Sequence, residues 1–135
     1  MRFTKEKVVT VPGFHKPEPN GPNVRISFEE GKSLVLTYAT SSNGKEQSVS
    51  ITFESCLIFT YGYPNDEVFQ THRLAKSGLE MDVLYEVLHS DWIHTLRRQN
   101  TVHPRHSDNM FENYHHYVFA FKDGVFECIS KRLIQ

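Results

Sequence analysis

The chain has little cysteine, almost no net charge and no long apolar run. Two cysteines in 135 residues exclude the small stapled scaffold that depends on disulfides. A formal charge of −1 supplies no long-range attraction, so neither nucleic acid nor an anionic membrane is an expected partner. No stretch approaches the roughly 20 apolar residues of a membrane-spanning helix, and the opening MRFTKEKVV has no apolar leader core. Two cysteines without an export signal point to free thiols and a cytoplasmic location. The spacings HExxH, HxHxDH, CxxC and GxSxG, the P-loop and the dinucleotide fingerprint are all missing, which removes the commonest metalloenzyme, serine-hydrolase and nucleotide-binding readings. There is no internal repeat and no low-complexity tract.

What is there describes a folded chain. Hydrophobic residues make up 39% and charged residues 23%, proportions of an ordinary globular protein, and the length suits one domain spanning residues 1–135. A modest strand signal covers Lys5–Val11. Four prolines and two glycines then make Pro12–Asn23 an irregular loop, read as a solvated connection in preference to a cover for a sheet edge or a pocket. Val24, Ile26 and Phe28 alternate with polar residues as a half-buried strand does. Asn43-Gly44 predicts a two-residue hairpin turn. The register follows from it: Tyr38 opposite Val49, Leu36 opposite Ile51, Leu34 opposite Phe53, with Thr37–Ser50 and Val35–Thr52 on the other face. Cys56–Phe59 is apolar on both sides and reads as a central strand covered on both faces. Asn65 or Asp66 can cap a helix that runs to Gly78. Met81–Leu88 reads as a strand. Ser90 caps a second helix whose buried stripe is Trp92, Ile93 and Leu96, ended by Asn100 in the left-handed conformation. A polar loop, Thr101–Asn113, leads to a hairpin turning at Asp123-Gly124. Counting outward pairs Phe121 with Phe126, Phe119 with Cys128, Tyr117 with Ser130, Val118 with Ile129 and Ala120 with Glu127. The expected fold is α+β: a strongly bent antiparallel sheet of five to seven strands, with a partly closed barrel the favoured variant, and one or two packed helices.

Six of the eight histidines fall between His89 and His116. Imidazoles and carboxylates converging from separate segments make transition-metal sites, so His103, His106 and His116 are the candidate ligands. His115 and His116 are neighbours on a strand and point to opposite faces, so at most one of them joins any given site. No cofactor is otherwise called for. Asn65, Asp66 and Glu67, with His72, form a second polar group, which helix capping also explains. Glu127 sits among apolar strand neighbours, where burial would raise its pKa; pairing with Lys122, Arg25 or Arg132 is the alternative. Glu67 and Glu127 are the candidate general bases. Arg97, Arg98 and Arg105 flank the histidines and could hold an anion or neutralise Asp108 and Glu112. Cys56 and Cys128 lack the exposed, electropositive setting of a reactive thiolate.

Several blocks carry a resemblance: Tyr63-Pro64-Asn65-Asp66-Glu67, the run Glu86–Ile93, and Val102-His103-Pro104-Arg105-His106, with His116 and Phe126-Glu127-Cys128-Ile129. In these the chain is similar to a group of small uncharacterised bacterial proteins with no assigned activity, over roughly its second half. The resemblance implies a bacterial, single-domain, cytosolic protein and no particular reaction. The expected function is therefore binding of a small molecule or a protein without catalysis, through Asn65, Asp66, Glu67, His72, Trp92 and Arg105. A metal-assisted hydrolase using the histidine loop is the alternative, and a homodimer through an exposed edge strand stays open.

Overall fold

The structure is a computed structural model that describes residues 5–42 and 44–135. Its strands are β1 (Lys7–Thr10), β2 (Arg25–Phe28), β3 (Leu34–Ser42), β4 (Lys45–Glu54), β5 (Ile58–Gly62), β6 (Leu84–Leu88), β7 (His115–Phe121), β8 (Gly124–Ser130) and β9 (Arg132–Ile134), with one α-helix, α1 (Asp91–Gln99). They form two antiparallel sheets, neither of them closed: β1-β6-β7-β8-β5 and β2-β3-β4-β9. The α+β class is as expected. Among the described residues, no helix is long and apolar enough to cross a membrane.

Alternation along the strands dictates how the sheets stack. Leu34, Leu36, Tyr38, Ile51 and Phe53 of the four-stranded sheet meet Tyr117, Phe119, Phe121, Phe126 and Cys128 of the five-stranded sheet in one buried core. Tilted and edge-on ring contacts knit it, with centroids 5.3 Å apart for both Tyr38–Phe119 and Phe53–Phe126. The opposite face of the five-stranded sheet is also buried. There Leu74 and Leu79 pack on Tyr85, Val87, Val118, Ala120 and Val125. Burial on both faces explains why β6, β7 and β8 read as nearly continuous apolar runs.

The β3–β4 register is the expected one at every stated pair; its turn residue Asn43 lies outside the described residues. The β7–β8 register differs. Phe121 pairs with Gly124, Phe119 with Phe126, Tyr117 with Cys128 and Val118 with Glu127, so Lys122-Asp123 is the turn and β8 is shifted by two residues. The reason lies at Gly124. A Cβ there would stand 3.0 Å from both the Gly62 carbonyl oxygen and the Tyr61 ring, so its glycine serves a close approach to β5 rather than a turn.

Four further expectations are corrected. β5 is an edge strand, not a central one. Phe59 packs inward on Phe28 at 5.2 Å, whereas Leu57 and Ile58 are 45% and 36% exposed and border a groove with Leu96 and Phe111. The Asp66–Gly78 helix is two 3₁₀ turns, Asp66–Thr71 and Ala75–Ser77, with extended backbone at His72. Helix α1 keeps its Trp92, Ile93 and Leu96 stripe only half-buried, and Asn100 continues right-handed into a 3₁₀ turn. Finally, the Pro12–Asn23 loop is pinned to β3. The Glu18 N–H donates to the Ala39 carbonyl, the Ala39 N–H to the Pro22 carbonyl, Tyr38 Oη to the His15 carbonyl and Thr40 Oγ1 to the Lys16 carbonyl.

Candidate functional site

Even-numbered positions of β7 and odd-numbered positions of β8 share the face away from the sheet-on-sheet core. His116 and Glu127 are two of them. With Val118 opposite Glu127, His116 is the diagonal neighbour of Glu127, and its Nε2 lies 2.8 Å from Glu127 Oε1. His72 arrives from the other side of the chain. Its extended backbone breaks the 3₁₀ run and sets Nε2 3.1 Å from Glu127 Oε2. The Leu74 N–H donates to His72 Nδ1 at 3.0 Å, so the neutral ring carries its proton on Nε2 and donates it to the carboxylate. Arg73, the next residue, places Nη1 3.5 Å from Glu127 Oε1 and reaches Glu6 with Nε and Nη2, each at 3.4 Å.

The network continues into α1. Ser90 is the N-cap, its Oγ accepting the Ile93 N–H at 3.1 Å. The same Oγ lies 2.7 Å from His116 Nδ1. An ionised carboxylate only accepts, so His116 Nε2 is the donor to Glu127, and in the neutral ring Nδ1 takes the Ser90 hydroxyl proton. The Trp92 and His116 rings meet nearly perpendicular, with centroids 5.4 Å apart. Two donor chains thus end on one anion. One runs from Ile93 N–H through Ser90 and His116; the other runs from Leu74 N–H through His72. Every polar atom named in them has a partner, as a buried network requires.

Burial pushes the Glu127 carboxyl up, but the hydrogen bonds from His116 and His72, with the nearby positive Arg73, outweigh it. They hold the group well below the usual carboxylate range. The expectation of a raised pKa is therefore reversed, and Glu127 is a fixed anion rather than a ready proton acceptor. Above it opens a cleft of about 320 Å³ lined by Thr60, Arg73, Asp91, Trp92, Thr95 and Glu127. A second cleft of about 330 Å³ lies at the Ser90 end of the network, with Leu88, Ile93, His94, Arg97 and His115 among its walls.

The other candidates lie elsewhere. Asn65 Oδ1 caps the first 3₁₀ turn by accepting the Glu67 N–H, and the Asp66 N–H donates to the Lys122 carbonyl. That corner is docked on the β7–β8 turn and contributes no wall to the Glu127 cleft. His103 Nδ1 accepts the Arg105 N–H, which folds the exposed loop on itself. His106 uses both ring nitrogens, with Asn100 Nδ2 at 2.9 Å and Asp108 Oδ1 at 2.7 Å. His103, His106 and His116 are not brought together. Both nitrogens of His116 face Ser90 and Glu127, and among the described residues no three His, Cys, Asp or Glu side chains form a group suited to a metal ion. His115 turns to the opposite face, 2.8 Å from Glu86 Oε2, so only one of the adjacent histidines joins the network. Arg73 and Glu6 were not foreseen as site residues, and Ser90 was foreseen only as a cap.

Comparison with known protein families, curated proteins and solved structures gives no match to this chain.

Proposed function

We propose that this is a small cytoplasmic binding protein whose ligand, a polar molecule of amino-acid or monosaccharide size, enters the cleft over Glu127. The observation that carries this reading is the convergence at its mouth of a fixed carboxylate, a guanidinium and an indole from three separate segments. Glu127 and Asp91 accept hydrogen bonds, Arg73 donates them, Thr60 and Thr95 do either, and Trp92 offers an apolar wall. A few polar groups around an aromatic surface, in a cleft of about 320 Å³, is the usual composition of a small-molecule site. The network beneath supports it by holding Glu127 in one orientation, so that little ordering cost remains at binding. The free cysteines Cys56 and Cys128 suit a reducing compartment, which is why the cytoplasm is the proposed location.

The test is thermal denaturation against a panel of amino acids, amines and simple sugars, followed by calorimetric titration of any that stabilise. A ligand of this cleft stabilises the natural protein by about 2.7 kcal/mol at 100 times its Kd and raises its Tm accordingly. Arg73→Ala and Trp92→Ala should each abolish that shift. A ligand whose effect survives both substitutions binds elsewhere and rejects the cleft.

A further inference from the structure

Ser90 is 6% exposed and is among the residues that line the second cleft, and its surroundings exceed what a helix cap needs. Any oxygen acceptor at that position would cap α1; Asn or Asp would serve as well as Ser. Only a hydroxyl, however, can pass a proton to the imidazole behind it. β6 ends at Leu88, His89 adopts a left-handed backbone with φ of 58°, and Ser90 follows at the first turn of α1. A sharp strand–serine–helix turn of this kind presents a hydroxyl at the end of a sheet; here the left-handed residue is the one before the serine.

We infer that Ser90 is a nucleophile, with His116 as its base and Glu127 as the positioning carboxylate, and that the second cleft takes a small carboxylic ester. Ser90 Oγ, His116 and Glu127 form one line, with contacts of 2.7 Å and 2.8 Å. That is the order of hydroxyl, imidazole and acid found in acyl-transfer sites. The ring is turned so that Nδ1 faces the hydroxyl and Nε2 the acid, and either imidazole nitrogen can accept the proton. His116 is fully buried, so the imidazolium formed during the reaction is screened from water and neutralised by Glu127. Glu127 is itself held by His72 and Arg73. Leu88 and Ile93 give the cleft an apolar patch, and Arg97 with the histidines and the carboxylates of Glu86 and Glu112 gives it a polar rim of both signs, which suits an uncharged ester with one apolar and one polar half. This goes beyond the binding reading and does not depend on it.

Besides the ester, the reaction consumes only one water. Ser90 Oγ bonds to the acyl carbon as its proton moves to His116 Nδ1 and the carbonyl electron pair moves onto oxygen. Collapse breaks the ester C–O bond, and the departing alkoxide takes the proton from Nδ1 to leave as the alcohol. Water then attacks the acyl-serine, giving a proton to Nδ1. Oγ departs and recovers that proton, releasing the acid.

Two probes test it on the full chain: p-nitrophenyl acetate in stopped flow, and an alkyl fluorophosphonate followed by peptide mapping. The natural protein should release about one equivalent of nitrophenolate in a burst and carry the phosphonyl group on Ser90. Ser90→Ala and the cap-preserving Ser90→Asn, both shown to be folded by circular dichroism, should lose burst and adduct alike. Absence of an adduct on Ser90 in the folded natural protein, an adduct only on another residue, or an unchanged burst in Ser90→Asn would each overturn the assignment. Binding in the first cleft is measured separately and is untouched by any of these results.

Discussion

The histidines of this protein fall into two settings, and the contrast between them separates local density from a site. In the loop, His103 and His106 bond to Arg105, Asp108 and Asn100, partners two to six residues away. Around Glu127, the partners are 11, 54 and 55 residues apart in sequence. The loop contacts fold a turn on itself and leave its surface to water. The long-range contacts join two strands of one sheet, tie the His72–Arg73 segment over them and line a cleft. Crowding of ligand-type residues in the sequence marked the loop; convergence marked the site.

That contrast can be broken most forcefully at its centre. Glu127→Ala leaves the His72 and His116 donors buried without an acceptor, and should cost about 3–5 kcal/mol, as loss of one partner from a buried charged pair does. Urea denaturation reads it directly, and a loss under 1 kcal/mol would mean that the network is ornamental. The next effect is at Ser90. Ser90→Ala removes a cap and orphans His116 Nδ1, which should cost about 1–2 kcal/mol, whereas Ser90→Asn should recover much of the capping part. Acid supplies a third test. Glu127 has a folded pKa below its ordinary 4.5, so its contribution is complete above that value and is lost as pH falls below it toward the folded pKa. Denaturation midpoints from pH 6 to pH 2 should drop more steeply for the natural protein than for Glu127→Gln, and parallel curves would contradict the assignment. The smallest effect belongs to the loop. His103→Ala combined with His106→Ala should change stability by no more than about 0.5 kcal/mol, with no change in metal content by plasma mass spectrometry.

Where one surface signal settled a choice, the fold was legible in the residues. The β3–β4 pairing could be read because the Asn43-Gly44 signal set the count and alternation then put Leu34, Leu36 and Tyr38 on one buried face. The start of α1 could be read because Ser90 and Asp91 are a cap and a dipole partner by chemistry alone. Gly124 misled, since its absent Cβ answers to Tyr61 and Gly62 across the sheet, and no local pattern encodes a contact with β5. That two-residue slip had a further effect. It set Glu127 opposite Ala120, four positions along the ladder from His116, and so hid the diagonal pair from which the site is built. His72, His116, Glu127 and Trp92 could each be nominated singly, but their meeting depended on the register. Arg73 carried no signal beyond its place beside His72.

The Pro12–Asn23 loop also bears on how the molecule behaves among its own copies. Beyond the short β2, the outer edge of β3 would present bare donors and acceptors to any passing strand. The loop occupies that place, pairing with Ala39 through Glu18 and Pro22. Pro17 and Pro22 are buried in it and Pro19 is exposed; none of the three has an N–H to offer a further strand. A segment rich in residues that cannot join a sheet is thus used as its hem, and it guards this edge against aggregation.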